Sequence, residues 1–375
     1  MVSDRRIAGA IAGGYNKQPD RIRIFCIFSW PGEKGNQMTE PINVLVTLSL
    51  SEDLIKKLAQ VSPRLSIIQQ EAHSPEEVAD ILGEIEILYT WDVFPEPGDA
   101  PHLRWVQMHL AGVDQILEHP LFTSSDVIFT TVSGIHATSM AEYVLGQMLA
   151  FGHRFLRMME DKASATWPEG RWKRYVPDEL RGATVGIVGY GSVGREVARL
   201  AQAFGMRVLA VKRDVRNLAS DDYTLPGTGD PEGDIPDRIY PPQALRSFLK
   251  ECDYVVLTVP LTPETRHMIN ADALAAMKSD AILINVARGE VVDEEALISA
   301  LQEGTIGGAA LDVYSQEPLP PESPLWGLPN VIMSPHVSGF SPHYNERSVE
   351  LFAENLRRFL AGEELINVVD RKRGY

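Results

Sequence analysis

The stretch VGIVGYGSVGREVARLAQAFG, residues 185–205, decides the fold of this chain. It places Gly189, Gly191 and Gly194 in the pattern G-x-G-x-x-G, between a short apolar run and a helical pattern. The first glycine permits a tight turn, the second lets a pyrophosphate approach the backbone, and the third lets the helix pack closely on the strand. The start of the helix then faces the phosphates. Strand, turn and helix together predict a dinucleotide-binding site.

The next apolar run, RVLAVK at 207–212, ends in a charge that is unusual for such a site. The second strand of a dinucleotide-binding fold normally ends in an acidic residue, about 20 residues past the glycines, which accepts a hydrogen bond from a ribose hydroxyl. Lys212 and Arg213 stand there instead. Because a cation pairs with a 2′-phosphate, NADP(H) is the favoured cofactor. The alternative is that both cations face solvent while Asp214 holds the ribose of NAD(H).

The rest of the chain alternates short apolar runs with helical patterns, which is typical of βαβ units and a parallel sheet. In the first half we predict five strands, at 43–49, 64–69, 85–90, 103–108 and 127–132. In the second half we predict six, at 183–189, 207–212, 253–260, 281–287, 308–313 and 330–335. Helices are predicted at 51–60, 74–82, 137–156 and 344–362, and residues 163–180 have the composition of a linker.

These patterns predict an α/β chain of two doubly wound parallel-sheet domains. One is a flavodoxin-like substrate domain, expected at 41–140 and 336–375, and the other is an inserted Rossmann dinucleotide-binding domain, expected at 141–335. Residues 1–40 lack regular patterning and contain a second methionine, Met38. We interpret them as an N-terminal extension, on the hypothesis that translation of the native protein begins at Met38.

The amino-acid composition argues against several classes of protein. A net charge of −16 argues against a nucleic-acid partner, whose binding depends on neutralising phosphates. The two cysteines, Cys26 and Cys252, cannot build a disulfide framework or a metal cluster, and they indicate a reducing, cytoplasmic compartment. No apolar run approaches the roughly 20 residues of a membrane helix. We therefore expect a cytoplasmic enzyme without a bound metal, with no nucleic-acid or membrane partner.

A segment rich in Gly, Pro and Asp follows the second strand of the second half, at residues 215–242. Loops of this length are uncommon in a compact domain unless they have a function. We interpret this segment, which we call the insert, as a functional loop.

Three polar residues follow the last three predicted strands. In the sheet order 3-2-1-4-5-6, strands 4, 5 and 6 lie together on the side expected for nicotinamide. Arg288 follows strand 4, Glu317 follows strand 5 and His336 follows strand 6. A histidine can deliver a proton near neutral pH, a carboxylate beside it raises its pKa, and an arginine can orient a 2-oxo acid. Taken singly, Arg288 could form a salt bridge within its loop, Glu317 could be a solvated charge and His336 could be a core histidine. The shared position of the three residues at strand ends favours a role in carbonyl reduction.

Longer segments carry a resemblance to a known family. They are 103–117 (LRWVQMHLAGVDQIL), 185–198, 259–269 (VPLTPETRHMI), 283–301 (LINVARGEVVDEEALISAL), 308–320 (GAALDVYSQEPLP) and 330–339 (NVIMSPHVSG). From about residue 42 to 370 the chain resembles the D-isomer-specific 2-hydroxyacid dehydrogenases. The resemblance implies reduction of a 2-oxo acid to the D-2-hydroxy acid by hydride from NAD(P)H. It also implies that Arg288, Glu317 and His336 are catalytic, with His336 as proton donor.

The resemblance further implies binding residues and an assembly. Leu110, Ala111 and Gly112 would hold the substrate carboxylate through their backbone, together with Arg288. A homodimer would form around the helix near 138–155, and the two domains would close on the substrate. Val259, Pro260, Thr265, Ala287, Asp312 and Gly339 match cofactor contacts of the family. Lys212 and Arg213 depart from it, because they replace the acidic residue of its NAD-using members. The predicted cofactor site consists of these residues together with Gly189, Gly191, Ser192, Val193, Gly194 and His336.

Other functions remain open at this point. The same catalytic residues could support oxidation of phosphite, and some relatives use the fold as NAD(P)H-sensing co-repressors. Glu317 stands where formate dehydrogenases of this superfamily carry Gln, which speaks against formate. Glyoxylate and hydroxypyruvate suit the pattern as substrates, although no residue indicates either one.

Overall fold

The computed structural model describes residues 23–25, 41–220 and 222–375. The expected N-terminal extension therefore lies outside the described residues, apart from one short strand. The chain divides into two compact units. Unit 1 runs to Val132 and resumes at Asn345, and unit 2 is Ser133–Tyr344.

The described strands and helices are numbered along the chain. The strands are β1 (Arg23–Phe25), β2 (Ile42–Val46), β3 (Leu65–Gln69), β4 (Ile87–Thr90), β5 (Trp105–Met108), β6 (Ile128–Thr130), β7 (Thr184–Val188), β8 (Arg207–Val211), β9 (Arg238–Tyr240), β10 (Tyr254–Leu257), β11 (Ile282–Asn285), β12 (Gly308–Leu311) and β13 (Val331–Met333). The α-helices are α1 (Glu52–Ala59), α2 (Ala79–Leu82), α3 (Pro120–Thr123), α4 (Ala137–Gly152), α5 (Phe155–Ala163), α6 (Arg171–Arg174), α7 (Ser192–Ala203), α8 (Leu245–Leu249), α9 (Ala271–Leu274), α10 (Glu294–Glu303) and α11 (Tyr344–Ala361).

Unit 1 contains a sheet in the order β1-β3-β2-β4-β5-β6. Strands β2 to β6 are parallel, and their order is that of a flavodoxin-like sheet. The short β1 pairs with β3 in the antiparallel direction and was not predicted. Alternate residues of β4 enter opposite cores, Ile87 and Tyr89 on one side and Leu88 on the other. The sheet is therefore covered on both faces, as a doubly wound fold requires.

The C-terminal helix α11 covers one face of this sheet. Its Phe352 is fully buried, with its ring centroid 4.4 Å from that of Tyr89 and 5.2 Å from that of Trp105. Val349 and Leu356 enter the same core at helical spacing. The amphipathic pattern of the last helix thus returns the chain to the first sheet.

Unit 2 contains a parallel sheet in the order β13-β12-β11-β10-β7-β8-β9, the Rossmann arrangement extended by one strand. Leu209 and Val211 of β8 point into one core, while Val208 and Ala210 point into the other. Both faces are covered, and the predicted fold class is confirmed.

The predicted strand count of unit 2 is wrong by one. The run at 253–260 is not the third strand of the sheet: as β10 it pairs with β7, on the side away from β8. The third position belongs to β9, which pairs with β8 and lies inside the insert. Its three residues, RIY, have no apolar pattern, and they stand among prolines and aspartates. The predicted strands 4, 5 and 6 are therefore the fifth, sixth and seventh, still side by side.

Two helical predictions also need correction. The helix predicted at 137–156 is two helices, because α4 ends at Gly152 and Arg154 takes a left-handed φ of 60°. The linker crosses there: a side chain added at Gly152 would meet the carbonyl oxygen of Asp178 at 2.7 Å. The segment at 74–82 is a 3-10 turn, Pro75–Val78, followed by the single turn of α2. The linker itself carries α6.

Candidate active site

His336 and Glu317 are in direct contact at the carboxyl edge of the unit 2 sheet. Nδ1 of His336 lies 2.8 Å from Oε2 of Glu317. The other carboxylate oxygen, Oε1, accepts the backbone N–H of Tyr314 at 3.0 Å. Both carboxylate oxygens are thereby fixed, and Nε2 of the imidazole remains to act on a substrate.

The contact shifts the pKa values of both groups. The hydrogen bond to Glu317 raises the pKa of His336 above its ordinary value, although burial and the charge of Arg288 act against it. Burial by itself would raise the pKa of Glu317. The hydrogen bond and charge of His336, the Tyr314 N–H and the charge of Arg288 outweigh burial and lower that pKa. The pair therefore favours an imidazolium beside a carboxylate.

A buried carboxylate holds the loop that carries His336. Asp312 is fully buried, its Oδ1 accepts the N–H of Val337 and its Oδ2 accepts the N–H of Ser338, both at 2.9 Å. The Ser334 hydroxyl donates to Oδ1, and the Asp312 carbonyl accepts the N–H of His336 at 2.8 Å. His336 itself has a φ of 54°, a left-handed conformation that needs such support.

Arg288 follows β11 in a turn that is also fixed by a buried side chain. Asn285, 1% exposed, donates from Nδ2 to the Arg288 carbonyl at 3.0 Å. The guanidinium donates to the Ala287 carbonyl at 2.8 Å. The next residue, Gly289, lies so close to the backbone of Tyr314 that an added side chain would overlap it. The turn of Arg288 thus packs directly against the turn that orients Glu317.

Leu110, Ala111 and Gly112 follow β5 in unit 1. Over the described residues, their three backbone N–H groups donate to no protein atom. The preceding His109 is 4% exposed, with Nδ1 2.7 Å from the Tyr89 hydroxyl and Nε2 3.2 Å from Oδ1 of Asn345. A turn of unpaired N–H groups on a fixed base suits a carboxylate ligand.

The glycine loop has the geometry that a dinucleotide needs. A side chain at Gly189, where φ is 103°, would meet Val259 at 2.9 Å, and one at Gly194 would meet the Gly189 carbonyl oxygen at 2.3 Å. At Gly191 an added side chain would meet nothing within 4 Å, so this face of the loop is open to a ligand. The first turn of α7 contains no acidic residue, and within the described residues the N–H groups of Ser192, Val193 and Gly194 donate to no protein atom. Such N–H groups at the start of a helix suit a phosphate.

Lys212 and Arg213 leave the end of β8 as predicted from the sequence, the first half-exposed and the second exposed. Nζ of Lys212 donates to the Asn217 carbonyl at 2.6 Å. The alternative ribose partner, Asp214, is engaged locally: its Oδ1 accepts the N–H groups of Arg216 and Asn217, at 2.9 and 3.3 Å.

The remaining predicted cofactor residues lie around the same sheet edge. Thr265 donates its hydroxyl to the Pro260 carbonyl at 2.7 Å and so closes the turn after β10. Ala287 is 6% exposed. The carbonyl of Gly339 lies 3.3 Å from Nδ1 of His136, a residue to which the sequence assigned no role.

Comparison with known proteins identifies the family of this chain. Residues 145–338 match the family model for the NAD binding domain of D-isomer specific 2-hydroxyacid dehydrogenases. A glyoxylate reductase from Korarchaeum cryptofilum is 37% identical over 279 residues, 73% of this chain and 78% of that protein. The chain belongs to this family.

Solved structures agree with this family assignment. A D-isomer specific 2-hydroxyacid dehydrogenase from Xanthobacter autotrophicus Py2, in complex with NADPH and MES, has a TM-score of 0.71 at 30% identity, covering 90% of this chain and all of that one. An NADPH-dependent glyoxylate/hydroxypyruvate reductase from Sinorhizobium meliloti, in complex with NADP and sulfate, has a TM-score of 0.69 at 28% identity, covering 89% and 100%.

This 2-hydroxyacid dehydrogenase is thus an oxidoreductase that acts on CH–OH donors and reduces a 2-oxo acid with NAD(P)H. Over the described residues, no helix has the length and apolar character needed to cross a membrane. In the same part of the chain, no group of three His, Cys, Asp or Glu residues could hold a metal ion.

Sequence reasoning missed the residues that support the dehydrogenase site. Asn285 and Gly289 flank Arg288, and neither was assigned a role. Asp312 was assigned to the cofactor, and its support of the His336 loop through Ser334, Val337 and Ser338 was not predicted. A polar residue at the end of an otherwise apolar strand, as in LINVARG, is the signal that could have identified Asn285.

Replacing Gly289 by Ala tests the packing of the Arg288 turn on the Glu317 turn. The added methyl group cannot fit against the Tyr314 backbone, so one turn must move by about 1 Å, and we expect a loss of turnover on the order of 10²-fold. Gly327→Ala is the control, because an added side chain there meets nothing within 4 Å. Equal turnover of the two variants would contradict the interpretation.

Proposed function

We propose that the protein reduces a small 2-oxo acid, glyoxylate or hydroxypyruvate, to the corresponding D-2-hydroxy acid with NADPH as the favoured cofactor. The contact of 2.8 Å between His336 and Glu317 carries the proposal, because it makes a proton available at Nε2. The names of the related proteins support the choice of substrate.

His336 acts as the proton donor in this proposal. A bound nicotinamide would supply the hydride, and negative charge would then develop on the carbonyl oxygen of the substrate. Nε2–H of His336 donates its proton to that oxygen, and Glu317 stabilises the imidazolium before the transfer and fixes the ring. The hydrogen bond to Glu317 raises the pKa of His336 and so favours the protonated ring. In the direction of oxidation the neutral imidazole accepts the proton instead.

Positive charge and backbone N–H groups bind the substrate. The guanidinium of Arg288 orients the 2-oxo acid through its oxygens, a geometry that a planar, permanently charged group suits. The N–H groups of Leu110, Ala111 and Gly112 take the carboxylate. Asp312, Asn285 and Gly289 are positioning residues, since they hold the turns that carry these groups.

Two substitutions test the roles of His336 and Glu317. His336→Ala removes the proton donor, and we expect turnover to fall by about 10²–10⁴-fold. Glu317→Gln removes the carboxylate that raises the pKa of His336. Reduction needs the protonated ring and declines as pH rises through this pKa, so Gln should move the decline to lower pH.

The measurement is the pH dependence of kcat/KM for glyoxylate reduction. Glu322→Gln, an exposed carboxylate on the same loop, serves as the control and should leave the profile unchanged. A profile of Glu317→Gln that coincides with wild type would refute the assigned role.

The preference for NADPH rests on the end of β8. Lys212 and Arg213 offer positive charge to a 2′-phosphate, and the rival partner for a ribose diol, Asp214, is engaged in its own turn. The glycine loop fits the pyrophosphate that both cofactors share. Structures of relatives with NADPH or NADP support the same choice.

The substitution Lys212→Asp should shift the cofactor preference from NADPH towards NADH. A carboxylate at 212 accepts from a ribose diol and repels a 2′-phosphate, so the ratio of kcat/KM for NADPH over NADH should fall by about 10–100-fold. Lys250→Asp, an exposed charge at the end of α8, should leave that ratio unchanged. An unchanged ratio in Lys212→Asp would mean that Lys212 and Arg213 face solvent and do not select the cofactor.

We also propose that the protein is a homodimer. The segment after α4 exposes large apolar side chains, among them Trp167 at 81% and Trp172 at 74%. The segment is nevertheless well fixed, because the buried Asp161 accepts two hydrogen bonds from Arg174, at 2.7 and 3.0 Å. Apolar surface on a fixed element is typical of an interface.

Sedimentation velocity tests the assembly. We expect a dimer for wild type, and a shift towards monomer for the variant Trp172→Glu, because a charge opposes burial of this surface. Trp326→Glu, also exposed but outside this segment, is the control. A wild-type monomer at micromolar concentration would contradict the proposal.

A further inference from the structure

The insert is attached to the dinucleotide loop by a buried cation. Arg195, in the second turn of α7, is 1% exposed. Its Nη2 donates to the Leu218 carbonyl at 2.5 Å, and its Nη1 donates to the Asp230 carbonyl. One planar guanidinium therefore joins two parts of the insert that are twelve residues apart.

Two neighbours of Arg195 add further attachments. The Tyr190 hydroxyl, between the first two glycines, donates to Oδ2 of Asp230 at 2.6 Å. Oε2 of Glu196 accepts the N–H of Gly229 at 2.6 Å. The glycine loop and the helix behind it thus hold the insert through several hydrogen bonds.

Lys212 shares an acceptor with Arg195. Its ammonium donates to the Asn217 carbonyl at 2.6 Å and, more weakly, to the Leu218 carbonyl at 3.4 Å. The carbonyl oxygen of Leu218 therefore accepts hydrogen bonds from both cations, and it fixes the position of the Lys212 ammonium. An ammonium has three N–H donors, so one of them is left for a ligand.

Arg195 and Lys212 make no direct ion pair within the described part of the chain, because no carboxylate lies within ion-pair distance of either side chain. Nε of Arg195 is buried without a hydrogen-bond partner. Burial and the charge of Arg195 lower the pKa of Lys212, while the charges of Asp222 and Asp214 act in the opposite direction. An anion beside the Lys212 ammonium would offset the repulsion between the two cations.

We propose that Arg195 is a positioning residue for cofactor discrimination: through the Leu218 carbonyl it fixes Lys212 for the phosphate of a 2′-phosphorylated adenosine. The insert is then part of the cofactor site, because it supplies the carbonyl groups that aim the ammonium. This inference rests on the proposed preference for NADPH.

Adenosine 2′,5′-bisphosphate and 5′-AMP separate the 2′-phosphate from the rest of the cofactor. Their dissociation constants are measured by calorimetry for wild type and for Arg195→Lys, which keeps the charge but cannot span two carbonyls. We expect the bisphosphate to bind about tenfold more weakly to the variant, with 5′-AMP within about twofold of wild type. Arg207→Lys, at the opposite end of β8, is the control.

The outcomes separate the possible failures. If Arg195→Lys weakens both ligands equally, or neither, the positioning role is wrong while the preference for NADPH stands. If wild type binds the two ligands equally well, the preference for NADPH itself fails, and the positioning role fails with it.

A second measurement on wild type covers the case in which Arg195→Lys does not fold. Hydrogen exchange of the amides in residues 215–237 should slow with the bisphosphate and stay unchanged with 5′-AMP. An equal effect of both ligands, or no effect of either, would overturn the proposal.

Discussion

The parallel register of β11, β12 and β13 is the constraint on which the candidate catalytic groups depend. Asn285 pairs with Leu311, and Leu311 pairs with Met333, so the three strands end at one level. The turns that follow must leave the sheet on the same edge, where Arg288, Glu317 and His336 stand. Ligands of doubly wound folds bind at this edge because parallel strands bring their following turns together there.

Buried polar side chains convert this common edge into fixed geometry. Asn285 ends β11 and holds the turn that follows its own strand, whereas Asp312 follows β12 and holds the turn after the neighbouring strand β13. Leaving such groups buried without partners would cost about 1–3 kcal/mol each, so the native turns are strongly favoured over alternatives. The left-handed backbone of His336 is stabilised in the same way, since four hydrogen bonds to Asp312, from Ser334, His336, Val337 and Ser338, hold its loop.

On the opposite half of the same sheet, a buried charged side chain attaches a loop to a helix. Arg195 lies in the core of unit 2, where its guanidinium donates to the Leu218 and Asp230 carbonyls and lies over the Tyr190 ring. Attaching a loop through a buried cation destabilises the folded state, because the cation loses its hydration on folding. Its position beside the glycine loop gives that cost a functional reason, since the cation also places the insert next to Lys212. In the proposed function, one end of this edge serves the chemistry and the other serves recognition of the cofactor.

The sequence by itself determined the fold class, the glycine loop and the three polar residues at strand ends, because each depends on local patterning. Apolar runs of strand length and the G-x-G-x-x-G spacing are visible without tertiary contacts. The strand count of unit 2 was wrong because β9 is held by pairing with β8 rather than by its own composition. The break after Gly152 was missed because the linker, far along the chain, sets it. Only the tertiary structure decided which polar atoms meet. The contacts of Asp312 with residues 334–338 and of Arg195 with the insert join positions 22 to 35 residues apart, and no local pattern encodes such distances.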